Sequence, residues 1–192
     1  MFIQAIVLAV IIGLVLGGSL RNLAYLKIEG IYIALAAFIL DAAGIWTVRM
    51  GILNVGNVTL IFDIVMYALL LVFMMMNRRN PYMVIMGVGF MLNALVIFAN
   101  GGAMPVGAAA MHAAGIHFNV STQGLYMPVT AATRLWYLGD LIPYTFLNLN
   151  IVSIGDIMSA LGIMLLIITS MKTEVNGDTT INSLFGSGIN RQ

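Results

Sequence analysis

Five stretches of this chain, roughly residues 2–19, 31–48, 58–76, 82–99 and 153–171, are long, apolar and almost without charge. A segment needs about 20 mainly apolar residues to cross a hydrocarbon core of ~30 Å. Within lipid a backbone must satisfy its own hydrogen bonds, so each stretch is expected to be a helix. The predicted fold class is therefore an all-α integral membrane protein, a bundle of five transmembrane helices. Only 8% of residues are charged and the mean hydropathy is +1.04, against about 25% charged in soluble domains. That excludes a water-soluble fold. The net charge of +1 offers no concentrated basic face for nucleic acid, so the lipid bilayer is the first expected partner. With no cysteine, disulfides, thiolate metal sites and cysteine nucleophiles are all absent.

The first stretch could be mistaken for a signal peptide ending near Gly17-Gly18-Ser19, but no Lys or Arg precedes its apolar region, as a signal peptide requires. It is read as a retained span. Lys and Arg accumulate on the cytoplasmic side of membrane proteins. With the N-terminus outside, Arg21, Lys27, Arg78, Arg79, Lys172 and Arg191 lie inside and only Arg49 and Arg134 outside, so the expected topology is N-out and C-in. Both tryptophans, Trp46 and Trp136, then fall at the outer interface, where aromatic belts form. Residues 1–171 are read as one bundle domain and 172–192 as a poorly ordered cytoplasmic tail. Leu20, Leu23 and Leu26 share a helical face, which predicts a short interfacial turn on the inner surface. Asn77-Arg-Arg-Asn-Pro81 makes a tight inner loop. No internal repeat supports an inverted-repeat transporter.

The connection 101–150 holds three of the four prolines and both histidines but only two charges, Arg134 and Asp140. A solvated loop of that length is far more polar. It is expected to fold as a long apolar extracytoplasmic cap of short helical pieces and turns, with turns at Gly139-Asp140 and Pro143.

Acidic side chains within spans are costly and usually face the bundle interior or a wet cavity. Here there are three, Asp41, Asp63 and Asp156, joined by the amide of Asn93. At ~1.5 Å per residue, Asp41 and Asn93 lie roughly 10 Å below the outer ends of their spans and Asp63 about 7–8 Å. Asp156 enters from the same side. Four helices thus place polar groups in the outer half, which predicts an outward-facing pocket lidded by 101–150, with Arg49, Arg134 and Asp140 at its rim. Pairing Arg134 with a buried aspartate would lower the cost of both.

Structural roles compete with this reading. Ser153-Ile154-Gly155-Asp156 fits a capping box, with Asp156 in the first turn, where the helix dipole favours it. Asp63 can bond a neighbouring helix, and Asn93 suits interhelical glue. Gly13/Gly17, Gly87/Gly89 and Gly155/Ser159/Gly162 read as close-packing seams. His112 and His117, five residues apart, do not share a helical face as metal ligands need, and no cofactor or metal is expected. Asn119-Val-Ser121 fits a glycosylation acceptor only in a secretory-pathway protein. No phosphate-cradling glycine loop, nucleophile elbow or acid–base pair is legible, so an enzyme is not expected.

Asn100-Gly-Gly-Ala-Met104-Pro105-Val, then Thr133-Arg134-Leu135 with Leu138-Gly139-Asp140, then Ser153-Ile-Gly-Asp156, resemble the elements of a bacterial family of multi-pass membrane proteins, largely from Firmicutes, catalogued as a domain of unknown function. Gly17-Gly18-Ser19-Leu20 extends the resemblance into the N-terminal half. The resemblance implies a bacterial cytoplasmic membrane location and draws attention to Asn100, Met104, Pro105, Arg134, Asp140, Ser153 and Asp156. It implies no activity, and Asp41 stands where a neutral amide is usual.

The candidate ligand-binding residues are thus Asp41, Asp63, Asn93, Asn100, Arg134, Asp140, Ser153 and Asp156. The leading expectation is a pocket taking a cation, proton or small polar ligand, its four aspartates against two arginines favouring a cation. The alternative is a non-catalytic subunit or scaffold docking a partner through the cap. An enzyme on a lipid-linked substrate ranks last. Five spans are few for a carrier, so transport would require a homo-oligomer or another membrane protein.

Overall fold

The computed structural model describes residues 2–50, 52, 57–115, 126–144 and 150–173, without the side chains of Arg49 and residues 57–59. The described chain is mostly helical. The order is α1 (Phe2–Val15), α2 (Leu20–Leu23), α3 (Ile31–Arg49), α4 (Asn57–Met76), α5 (Pro81–Ala99), β1 (Met104–Val106), α6 (Ala108–Ala113), β2 (Tyr126–Pro128), a 3-10 turn (Trp136–Leu138), β3 (Ile142–Tyr144), β4 (Asn150–Val152) and α7 (Ile154–Lys172). Three segments, Ile31–Val48, Pro81–Ala99 and Ile154–Lys172, are long and apolar enough to cross a membrane. Phe2–Val15 and Leu60–Met76 are apolar but shorter.

Lipid tails are as apolar as leucine, so helices in a membrane associate through close packing of small residues and interhelical hydrogen bonds. The α5/α7 seam follows that rule. A Cβ on Gly162 would come within 2.6 Å of the Met86 backbone nitrogen, and one on Gly155 within 2.6 Å of the Gly89 carbonyl oxygen. The Ser159 hydroxyl donates to the Met86 carbonyl at 3.2 Å. Gly13 packs α1 against Met171 at the far end of α7, and Ser19 N and Asn22 Nδ2 both donate to the Met171 carbonyl. Gly44 sets α3 against Phe62 of α4.

One glycine departs from the expected seams. Gly17 has φ +81° and open space around its Cβ position. It therefore ends α1 in the left-handed conformation that favours glycine, and the predicted span 2–19 stops at Val15. Gly87 keeps its packing role, setting α5 against the Met74 side chain of α4, which a Cβ there would meet at 3.1 Å. Phe2 packs against Phe90, midway along α5, with ring centroids 6.0 Å apart. The fourteen-residue α1, about 21 Å long, therefore covers the half of the bundle remote from the cap. Ala34, Ala37, Met66, Leu70, Phe73, Met83, Met86, Phe90 and Leu166 form the main core.

The cap differs from expectation in containing strands. β1 pairs in parallel with β2, and β3 antiparallel with β4. Pro143 lies inside β3 rather than in a turn. Val106, Ala110, Ala114 and Ile151 form a small core of their own, so part of the cap buries itself, as its composition demands. His117, Asn119, Ser121 and the tail from residue 174 lie outside the described residues.

Candidate functional site

At the capped end of the bundle, one cavity of about 360 Å3 is lined by Asp41 of α3, Asp63 of α4, Asn93 of α5, Asp140 of the cap and Asp156 of α7. Among the described residues no Lys, Arg or His lines it. Tyr67, Phe38, Phe90, Phe2 and Tyr126 supply aromatic wall, and Gly102 and Met104 belong to the covering segment. The floor of Phe2, Phe38, Leu70 and Phe90 is shared with a second, wholly apolar cavity of about 390 Å3 deeper in the bundle.

Each acidic group reaches the cavity for a separate local reason. Asp156 is set by a complete capping box. Ser153 N donates to its Oδ2 at 3.1 Å, and Asp156 N donates to Ser153 Oγ at 2.9 Å. Asn93 closes the cluster: its Nδ2 donates to Asp156 Oδ1 at 2.9 Å, and its Oδ1 accepts from Ser153 Oγ at 2.8 Å. Ser153 is fully buried, and buried polar groups of this kind must find partners. The helix-starting role and the cavity-lining role of Asp156 therefore coexist, and Asn93 is interhelical glue as well as cavity wall.

Asp140 is fixed through its backbone. Its N–H donates to the Pro105 carbonyl at 2.8 Å, and its carbonyl accepts from Gly107 N at 3.0 Å. Gly139 makes this approach feasible, since a Cβ there would meet the Pro105 carbonyl oxygen at 2.5 Å. The side chain is 92% buried, being 8% exposed, and Oδ1 has no hydrogen-bond partner. Asp140 thus belongs to the cavity interior and not to its rim. Burial, and then the charge of Asp156, push its carboxyl up to about 8.

Asp41 and Asp63 project from the adjacent helices α3 and α4, each half-buried. Asn100 and Arg134, grouped with these residues on sequence grounds, lie elsewhere. Asn100 Oδ1 accepts from Arg134 N at 3.0 Å, and its Nδ2 donates to the Arg134 carbonyl at 2.8 Å and to that of Val96. This clamp holds the chain just before Leu135, the one non-glycine residue with positive φ (+50°) among the described residues. The exposed Arg134 side chain does not line the cavity, so it does not neutralise a buried aspartate as expected. It is the backbone at Arg134 that is held.

The aromatic lining was not anticipated from the sequence. Tyr67 at least had a signal: it lies four residues beyond Asp63, so it shares its helical face. Among the described residues no group of three or more His, Asp or Glu converges as a metal site would.

No curated protein and no solved structure matches this chain. The family model that does match is described as a family of unknown function and spans residues 25–168, which takes in all eight candidate residues. The chain therefore belongs to the DUF5317 family.

Proposed function

We propose that the protein is a multi-pass component of a bacterial cytoplasmic membrane, its capped face outside, that binds a cation in the acidic cavity beneath that cap. The Lys and Arg bias supports the orientation. α1 runs parallel to α7, its first residues toward the cap: Gly13 meets Met171 at one end while Phe2 reaches Phe90 nearer the cap. The full α4, twenty residues or about 30 Å, is long enough to span.

One observation carries the binding reading. Four carboxylates from four separate elements line one cavity that no described basic side chain enters, and one of them keeps a buried, unpartnered oxygen. Unpaired acids within a membrane are expensive, and a ligand cation would offset that cost. A proton is the smallest such ligand. Exposed Trp136, Tyr137 and Ile142 on the cap favour a second reading, a subunit that docks a partner there.

The test is ligand-dependent thermal stabilisation of the detergent-purified protein across sodium, magnesium, calcium and small amines. Saturable stabilisation by at least one of them is expected. The Asp41→Asn/Asp63→Asn double variant should weaken it by at least tenfold while remaining folded and monodisperse. Stabilisation unchanged in that variant, or none with any cation, would overturn the reading.

A further inference from the structure

We propose that the acidic cavity selects an organic ammonium ion, a primary amine or quaternary ammonium compound of several carbon atoms, over a metal ion. This rests on reading the cavity as a cation site and concerns which class of cation it takes. Calcium and magnesium draw their ligand oxygens to about 2.0–2.6 Å from one centre, so carboxylates sharing such an ion stand within roughly 5 Å of one another. No three acidic or imidazole side chains converge in that way among the described residues. The four aspartates are instead spread over α3, α4, the cap and α7. Both oxygens of Asp156 are already engaged, one by Asn93 and the other by Ser153.

The remaining surface is of the wrong kind for a hard cation. Phe38, Tyr67, Phe90 and Tyr126 line the same space. Aromatic walls attract ammonium groups through the ring quadrupole, whereas they replace none of the oxygens that magnesium or calcium demands. The floor opens on no polar group, since its other side is the wholly apolar cavity. Size points the same way: about 360 Å3 lies in the range of pockets for small organic ligands and far exceeds a desolvated ion. The buried, unpartnered Oδ1 of Asp140 is a ready acceptor for an ammonium N–H, or a counter-charge for a quaternary group.

The experiment titrates the intact protein in detergent with tetramethylammonium, putrescine, sodium, magnesium and calcium at matched ionic strength, following melting temperature and equilibrium binding. At least one of the two ammonium probes should saturate at concentrations at least tenfold below any metal. Phe38→Leu, at a half-exposed position, should weaken tetramethylammonium by about tenfold in a protein that remains folded and monodisperse. Asp63→Asn should weaken both ammonium probes. Preferential saturation by a metal, with ammonium probes inert, would overturn this inference and leave the cation site standing. Ammonium binding indifferent to Phe38→Leu and Asp63→Asn would overturn it as well, by placing the probe elsewhere. No saturable effect from any of the five would remove the cation site itself.

Discussion

Gly155→Ala destabilises the folded bundle by about 3–5 kcal/mol, the largest single-residue effect expected here. An alanine Cβ would fall on Asn93 Oδ1 and within 2.6 Å of the Gly89 carbonyl oxygen. Neither neighbour yields freely. The Gly89 carbonyl belongs to the α5 backbone, and Asn93 Oδ1 is the acceptor for the buried Ser153 hydroxyl. Prising α5 from α7 costs about 1–3 kcal/mol as overpacking, and each buried hydrogen bond broken in the Ser153–Asn93–Asp156 cluster adds roughly 1 kcal/mol. Gly44→Ala is the matched control. Its Cβ would sit 3.4 Å from the Phe62 ring, an ordinary contact, and alanine is the better helix former by about 1 kcal/mol. Equilibrium unfolding in mixed micelles should show Gly155→Ala strongly shifted and Gly44→Ala near wild type. Equal, small shifts would refute the close α5/α7 seam.

The second large effect is a pH dependence centred on Asp140. Its carboxyl titrates near 8 in the folded protein because it is buried and faces Asp156, against about 3.9 in an unfolded chain. Between these two values the folded state holds a proton that the unfolded state has released. Stability therefore falls as pH rises from about 4 to about 8, by several kcal/mol at most from this group. Asp140→Asn cannot ionise and removes that contribution. Melting temperatures of wild type and Asp140→Asn should lie close together near pH 4 and diverge as pH rises, the variant being the more stable at pH 8.5. Parallel curves across this range would show that Asp140 does not carry the burden assigned to it. A saturating cation ligand should flatten the wild-type curve, because it favours the ionised carboxylate.

The sequence disclosed the site's depth better than its walls. Helix rise is fixed, so counting residues from the ends of the spans places Asp41, Asp63 and Asn93 at one level before any coordinate is known, and all three line the cavity. The Ser153-x-x-Asp156 spacing likewise foretells its own hydrogen bonds, because a capping box is local. What could not be read depends on contacts distant in the chain. Helices bathed in lipid are apolar on every side, so periodicity gives no facing, and nothing in α3 or α5 marks Phe38 or Phe90 as cavity wall rather than lipid-facing surface. The strands of the cap are three residues long and two of the four have proline at the centre, which conceals them from any alternation pattern. Arg134 drew attention by its charge, whereas the structure uses its backbone, held by Asn100 from 34 residues away. Apolar length alone carries the first span to residue 19, whereas the positive φ of Gly17, which hydropathy does not register, stops the helix near Val15.

Carboxylates on α3 and α4 share one cavity at the capped end of the bundle, which the proposed orientation makes accessible from outside. The chain contains no cysteine, so single cysteines report without background. Asp41→Cys and Asp63→Cys in sealed, right-side-out vesicles should react with a membrane-impermeant thiol reagent added outside, and a saturating cation ligand should slow both. Labelling of either position from the cytoplasmic face alone would contradict the account.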